Sequence, residues 1–424
     1  MRALVLAGGF PQIALIKELH KRNIYVILAD YNEEPVAKVF ADKYYQVSTL
    51  DIEAIRNVAI RETVDFLITV CTDQALHTVA KVSEELGLPC YIDYQTALNV
   101  TNKQYMKQVF AEHSIPTARH LVMDVLDEAQ INTLRFPLIV KPVDCNSSKG
   151  VRRCRNIEDL RIFFNDAVRF SRTNTAIIEE FIDGFEVSVD IYVENGEAHV
   201  LCISNSEKIA DKDKFVIFRA IWPSPISEQI RNQIKSIAQQ IADVFEIRNS
   251  PMLIQFLTDG ENVYVIEFSA RTGGGVKYLL IKRTSGFDVI KAVVDLTLGQ
   301  KPHVNEVTPE QHYLINDFIY CKPGKFDHLE GFEELLKEGI LKDFYLFKWK
   351  GAQFSAIRAS GDRLAGYTVV GNTPDELIKK QEEVRKRIKA ISSTGEDMIR
   401  HDLLTGLFCE NQFVFSDNQN EIYD

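Results

Sequence analysis

Four residues near the middle of the chain, Gln255, Glu267, Ser269 and Arg271, have types and spacing that suit a divalent cation bound beside an anion. They lie in two apolar stretches, Met252–Leu257 and Tyr264–Ser269, or just beyond them, and the turn-forming run Asp259-Gly260-Glu261-Asn262 between these stretches makes the segment read as a hairpin. A turn centred on Glu261 sets Gln255 opposite Glu267, since each is six positions away. Directly opposed residues share a face, with Cβ atoms about 4.5–5.5 Å apart, and the two-residue period of a strand adds Ser269 and Arg271 to that face. Ile254, Phe256, Val263, Ile266 and Phe268 are expected to point the other way. Oxygen donors of this kind suit Mg²⁺, which takes one or two carboxylates and leaves its other positions to water and substrate phosphates. The same spacing is equally that of a solvated sheet face.

A phosphate-bearing ligand also needs cations and backbone N–H donors. Lys141 ends the apolar strand Leu138-Ile139-Val140-Lys141-Pro142 and precedes a run of small polar residues, Asp144-Cys145-Asn146-Ser147-Ser148-Lys149-Gly150, that reads as a loop able to cover phosphates. Lys103 opens a helix predicted over Lys103–Ser114. Either lysine alone is more often a surface residue. The sequence G-x-x-x-x-G-K-[ST] does not occur, so a P-loop is not expected.

The elements that must position these residues begin with an alternation of apolar and helical segments over residues 1–98: Ala3–Ala7, Ile13–Lys21, Tyr25–Ala29, Ile52–Arg61, Phe66–Val70 and Gln74–Leu86. This is the pattern of a doubly wound parallel sheet. Gly8-Gly9 after the first strand and Asp30 after the second raise a dinucleotide fold, but the full G-x-G-x-x-G is absent and a tight strand-to-helix turn accounts for the glycines. From 183 to about 300 the pattern turns to β, with Asn195-Gly196 as a hairpin turn between Val187–Val193 and Ala198–Ser204, and a helix over Ile226–Phe245. Further on, Phe344–Trp349 and Ala365–Val370 read as strands, Thr373-Pro374-Asp375-Glu376 as a capping box, and the polar end Ser416–Asp424 as frayed.

With 424 residues the chain exceeds a single ordinary core, and two or three domains are expected. The formal charge of −11, with no basic tract, argues against nucleic acid as a partner and for a small molecule. No apolar run reaches the roughly 20 residues of a membrane span, and the N-terminal apolar stretch is short for a secretory signal, so a cytoplasmic protein is expected. Seven cysteines without C-x-x-C spacing suggest reduced thiols rather than disulfides or zinc.

Taken in order, these pieces resemble the ATP-grasp superfamily, in particular carboxylate–amine ligases related to biotin carboxylase, carbamoyl-phosphate synthase and L-amino-acid ligases. The resemblance rests on Asn102-Lys103 with HSIPTAR (113–119), FPLIVKPVD (136–144) with the loop to Gly150, IIEEFIDGFEVSVDIYV (177–193), IQFLTDGENVYVIEFSARTGGG (254–275) and SGFDVIKAVVDLTLG (285–299). A weaker likeness to the C-terminal domain of these ligases covers SAIRASGDRLAGYTVVGNTPDEL (355–377). The resemblance implies an α/β fold: a Rossmann-like N-terminal domain (1–98), an ATP-grasp domain of two α+β lobes (99–300, lid about 115–182) and a C-terminal α+β region (301–424). It further implies ATP and Mg²⁺ or Mn²⁺ as cofactors, and a homodimer.

By the same resemblance, Lys103, Lys141, Ser147, Ser148 and Gly150 would contact the phosphates. Glu179, Glu180, Phe181 and Ile182 would form the adenine hinge and Glu186 would hold the ribose. Gln255, Glu267 and Ser269 would take the metal positions, and Arg271, with Lys141, would stabilise charge in catalysis. The family usually places two acidic ligands and an asparagine where this chain has Gln255, Glu267 and Ser269, so weaker or single metal binding is expected. The implied activity is ATP-dependent C–N bond formation between a carboxylate and an amine through an acyl phosphate. The alternatives are a non-catalytic ATP-binding protein with a degraded metal site, a carboxyphosphate-forming carboxylase on the same scaffold and, more remotely, a dehydrogenase.

Overall fold

The computed structural model of the chain describes residues 1–145, 149–209, 215–305 and 312–404. Ser147, Ser148, Cys409 and the polar end 416–424 lie outside the described residues. Arg2–Leu6, Tyr25–Asp30, Lys43–Gln46 and Phe66–Ile68 form a parallel sheet in the spatial order 43–46, 25–30, 2–6, 66–68. The short strand Lys43–Gln46 had no signature in the sequence, because its residues alternate only weakly between exposed and half-buried.

Both faces of this sheet are covered, which is why its strands read as unbroken apolar runs. Ala3, Val5, Val26 and Leu28 pack with Leu15, Ile16 and Leu19 of the helix Phe10–Lys21. Leu4, Leu6, Ile27 and Ala29 pack with residues of Ile52–Glu62 and Asp73–Leu86 on the other side. The first of these cores also takes Ile290, Val293 and Val294 from the helix Val289–Thr297, so a distant segment closes the N-terminal sheet. Asp30 accepts the Gly8 N–H at 2.6 Å and the Asn32 N–H at 2.8 Å, and a β-carbon at Gly8 would lie 2.5 Å from Pro35. The glycine turn is therefore packed shut by its own loop, with the acidic residue spent on backbone donors.

The second large element is an antiparallel sheet of eight strands, in the order Val263–Ser269, Ser250–Thr258, Phe185–Glu194, Glu197–Lys208, Ile217–Trp222, Tyr313–Ile319, Ala365–Gly371 and Asp343–Leu346. Strands from both sides of residue 300 thus hydrogen-bond in one sheet. One face, through Val187, Val189, Ile191 and Val193, packs on Ile230, Ile234, Ile237 and Ile241 of the helix Glu228–Val244. A smaller antiparallel sheet, in the order His120–Met123, Ala176–Glu180, Leu138–Pro142, Arg152–Cys154, carries Lys141. Among the described residues no helix is long and apolar enough to cross a membrane, and the six described cysteines are free.

The helix Pro374–Arg387 begins as expected, with Pro374 in the first turn and Thr373 Oγ1 accepting the Glu376 N–H at 3.2 Å. The return arm of the box differs: Glu376 accepts the N–H of Asn372 at 2.8 Å, one residue earlier than the sequence pattern implies. This helix covers a buried polar row in which Glu207, Arg219, Asp317 and Tyr367 are successive cross-strand partners. Asp317 accepts Arg219 Nε at 2.6 Å and Nη2 at 3.0 Å, Tyr367 Oη at 2.8 Å and Gln381 Nε2 at 2.8 Å. Arg219 and Asp317 are wholly buried. Breaking one partner of such a pair leaves an uncompensated charge. Asp317→Ala is therefore expected to lower unfolding free energy by about 3–5 kcal/mol, seen as a reduced urea midpoint, whereas an unchanged midpoint would show the row to be dispensable.

Candidate functional site

The hairpin pairs Gln255 with Glu267 and Leu253 with Ser269 as expected, but not through a turn centred on Glu261: Thr258 pairs with Val263 and Leu257 with Tyr264, which centres the turn between Gly260 and Glu261. Between Gln255 and Phe256 the register shifts by one residue, so that Phe256 pairs with Val265. This bulge corrects one expectation: Val265 joins the core, while Ile266 is only half-buried. Ile254, Phe256, Val263 and Phe268 are buried as anticipated. The side of the sheet carrying Gln255 continues onto the neighbouring strands, because Gln255 pairs with Ser188, Ser188 with Ser204, and Glu186 with Ser206. Alternation along Phe185–Glu194 thus sets Glu186, Ser188 and Asp190 on one face and the apolar valines on the other.

Charges on this face are matched in pairs. Glu186 is nearly buried; its Oε1 accepts Gln255 Nε2 at 2.8 Å and its Oε2 lies 2.7 Å from the Lys208 ammonium. Glu267 Oε2 lies 3.1 Å from Lys103 Nζ, which also donates to the Cys145 carbonyl at 2.8 Å. Lys103 starts the helix Lys103–Glu112, capped by Asn102, whose Oδ1 accepts the Tyr105 N–H at 3.1 Å. Lys141 Nζ is 2.7 Å from Glu179 Oε2, and Lys107 Nζ is 2.7 Å from Glu179 Oε1. Burial alone would raise the Glu179 pKa, but the two ammonium groups overcome it and hold the carboxyl at about 2. Burial in turn lowers Lys107.

Glu180 faces Arg119 at 3.4 Å and Arg135 at 3.5 Å. Phe181 stacks under the Arg153 guanidinium at 3.9 Å, and Ile182 is half-buried. The side chain of Glu179 therefore points to the two lysines, away from Glu180. Gly150 has φ +76°, and a β-carbon there would lie 2.9 Å from Pro142, so Gly150 itself sits close against the strand that carries Lys141.

Arg271 does not meet an open space. Its Nε donates to Asp73 Oδ1 at 2.7 Å and its Nη2 to Oδ2 at 2.5 Å, a bidentate fork, and the Ser269 hydroxyl bonds the same carboxylate. Asp73 is the first residue of the helix Asp73–Leu86, so this fork ties the N-terminal sheet to the hairpin. Burial raises the Asp73 pKa, yet Arg271 brings it below the ordinary carboxylate range. A cavity of about 20 Å³, room for about one water, remains among Asp73, Lys103, Gln255, Glu267, Ser269 and Arg271.

Sequence reasoning missed Asp73, Lys107 and Lys208. Asp73 reads in sequence only as an acidic residue favourable at a helix N-terminus, and its partner is 198 positions away. Lys107, one turn after Lys103, had a findable signal, since four-residue spacing places both on one helix face. For a divalent cation, the described residues hold no cluster of three or more His, Cys, Asp or Glu. Glu267 with the side-chain carbonyl of Gln255 nonetheless fits Mg²⁺ that draws its other ligands from phosphates and water, whereas Ser269 is turned to Asp73.

Residues 134–278 match the family described as ATP-grasp domain. The chain is 23% identical over 416 residues to the carbamoyl phosphate synthase large chain of Clostridium acetobutylicum, covering 91% of this chain but 37% of that protein. It is 25% identical over 319 residues to the formate-dependent phosphoribosylglycinamide formyltransferase of Bacillus velezensis, 73% of this chain and 80% of the relative. Among solved structures, the L-amino acid ligase of Bacillus licheniformis superimposes with TM-score 0.76 at 20% identity, over 92% of this chain and 98% of the other. The biotin carboxylase domain dimer of the Hydrogenobacter thermophilus 2-oxoglutarate carboxylase, solved with MgADP and bicarbonate, gives TM-score 0.76 at 16% identity, over 94% and 91%.

The Glu179 clamp has a pH signature. A carboxyl whose folded pKa is depressed contributes stability above its unfolded value and loses it as pH falls through the folded one. Unfolding midpoints should therefore drop as pH falls from 4.5 toward about 2, and Glu179→Gln should flatten that drop. At neutral pH the same substitution leaves two buried ammonium groups facing a neutral amide and should cost about 3–5 kcal/mol. Parallel pH profiles for the two proteins would rule the clamp out.

Proposed function

Since the chain is an ATP-grasp superfamily protein, related to the carbamoyl phosphate synthase large chain, biotin carboxylase and L-amino acid ligases, we propose that it joins a carboxylate to an amine with hydrolysis of ATP to ADP and phosphate. The observation that carries this reading is the convergence of Lys103, Glu267 and Arg271 on one small cavity, with Lys141 on the facing sheet. Three cations brought together in this way, each beside a carboxylate of the protein, suit a triphosphate and a reacting acid.

In the proposed reaction a substrate carboxylate oxygen attacks the γ-phosphorus in line, and the bond from that phosphorus to the β–γ bridging oxygen breaks. The products are an acyl phosphate and ADP. An amine then adds to the acyl carbon, phosphate leaves, and the amine gives up one proton to form the amide. Lys103 and Lys141 neutralise phosphate charge, and Arg271 holds the developing charge on the transferred group. Each of these cations has a carboxylate partner within 3.1 Å, namely Glu267, Glu179 and Asp73. Binding an anion at these cations exchanges or shares those partners without creating new charges in a dry site. Mg²⁺, held by Glu267 and Gln255, supplies further neutralisation when bound. The hinge roles of Glu180, Phe181 and Ile182 and the ribose role of Glu186 are parts of the same proposal, as is a homodimer, which light scattering would reveal.

A second reading, a non-catalytic nucleotide-binding protein, is favoured by Gln255 and Ser269, whose side chains are engaged by Glu186 and Asp73. The deciding experiment is ADP release from ATP and Mg²⁺ over a panel of carboxylates, bicarbonate included, with and without amines. Release that requires one acid–amine pair and falls roughly 100-fold or more in Lys141→Ala and Glu267→Ala is expected. Unchanged turnover in Lys141→Ala overturns the assignment. ATP binding without any substrate-dependent release supports the second reading, and release driven by bicarbonate alone assigns a carboxylase.

A further inference from the structure

Two to four residues beyond Arg271, the turn Gly273–Gly275 meets charged side chains that the reaction outlined above does not use. A β-carbon at Gly273 would lie 2.7 Å from Asp190 Oδ1, and one at Gly275 would lie 3.2 Å from Arg363 Nη1 and 3.3 Å from Phe318 Cζ. Gly275 has φ +67°, a conformation that favours glycine, so the turn approaches Arg363 closely and carries no side chain to cover it.

Arg363 is held rigidly by neutral groups. Its Nε donates to Tyr320 Oη at 3.1 Å, its Nη2 to the Ile217 carbonyl at 3.1 Å, and its guanidinium lies 3.7 Å over the Phe318 ring. Its Nη1 makes no hydrogen bond among the described residues, and no carboxylate pairs with it there. Arg219, Arg271 and Arg283 contrast with it: they face Asp317, Asp73 and Asp343 respectively. Lys277, the first residue of the following helix Lys277–Ser285, is already engaged by Asp190 at 3.7 Å and by Ser204. A planar fork held in orientation with a free donor matches a carboxylate.

We propose that Arg363 receives a second, non-reacting carboxylate of the substrates, while the reacting one lies toward Arg271. The inference rests on the ligase reading and adds a substrate class to it. The second carboxylate belongs either to a dicarboxylic acid that is phosphorylated at its other end, or to an α-amino acid that supplies the amine. Monocarboxylic acids and simple amines would lack the contact. Arg363 joins the C-terminal part of the chain to the site, one residue before Leu364, whose N–H bonds the Ile319 carbonyl at 2.9 Å.

The test is calorimetric and independent of turnover. The full chain, saturated with a non-hydrolysable ATP analogue and Mg²⁺, is titrated with succinate, L-alanine, L-alanine amide and acetate. Wild type should bind succinate or L-alanine more tightly than acetate and the amide. Binding of succinate identifies a dicarboxylic donor; binding of L-alanine identifies an amino-acid acceptor. Arg363→Gln should weaken that binding about 10- to 100-fold, with Arg363→Lys between the two and nucleotide affinity unchanged in both variants. Equal affinities in wild type and Arg363→Gln overturn the proposal, as does wild type that binds neither probe at millimolar concentration. Because ADP release is measured separately, a protein that turns over monocarboxylates would refute the role of Arg363 while leaving the ligase reading intact.

Discussion

A side chain on a β-strand can face only one of two sides, and in an antiparallel sheet directly paired residues share that side. This constraint governs the site. It sets Gln255 beside Ser188 and Glu267, and Glu186 beside Ser206, so polar residues scattered over about eighty positions of sequence become one surface. The opposite side is committed to the helix Glu228–Val244 through a continuous apolar core. A slip of one residue would exchange the two, and the core opposes it. The bulge between Gln255 and Phe256 makes the pairing of Gln255 with Glu267: Phe256, Leu257 and Thr258 pair about a turn centred half a residue before Glu261, and the extra residue, Ile266, brings Glu267 opposite Gln255.

Charge pairing is the second condition on the same surface. Lys103 with Glu267, Lys141 and Lys107 with Glu179, Lys208 with Glu186, and Arg271 with Asp73 leave few unmatched charges in a region of low solvent access. The arrangement stores cations in place without the penalty of isolated burial. The cavity left among these paired groups is small, about 20 Å³. Any anion that enters competes with a carboxylate of the protein, which favours ligands bearing several negative charges. The buried row from Glu207 to Tyr367 uses the same logic on the other side of the sheet, where Arg219 and Asp317 are fully enclosed.

The longer-range links come from segments that sequence order would assign elsewhere. Asp73, on a helix of the N-terminal sheet, grips Arg271; Val289–Thr297 packs on that same sheet; and strands beyond residue 300 complete the eight-stranded sheet. The three regions of chain therefore share their cores and their charges. Arg363 is the C-terminal counterpart of Asp73, since each reaches the glycine-flanked end of the hairpin from a different region.

By itself the sequence determined the local order: apolar runs and turn residues marked the parallel N-terminal strands and the hairpin that carries Gln255 and Glu267. Motif order pointed to the superfamily, and strand alternation to the polar face. These are short-range properties, fixed by backbone geometry and by which residues can be buried. Only the tertiary structure decided the partners. Nothing near Glu179 in sequence announces that its side chain meets Lys107 and Lys141, and nothing near Arg271 names Asp73, because an ion pair is set by the spatial convergence of separate elements. The bulge that sends Val265 inward and Ile266 outward was illegible for a related reason: an extra residue in one strand is accommodated by packing against a specific core, which local propensity does not describe.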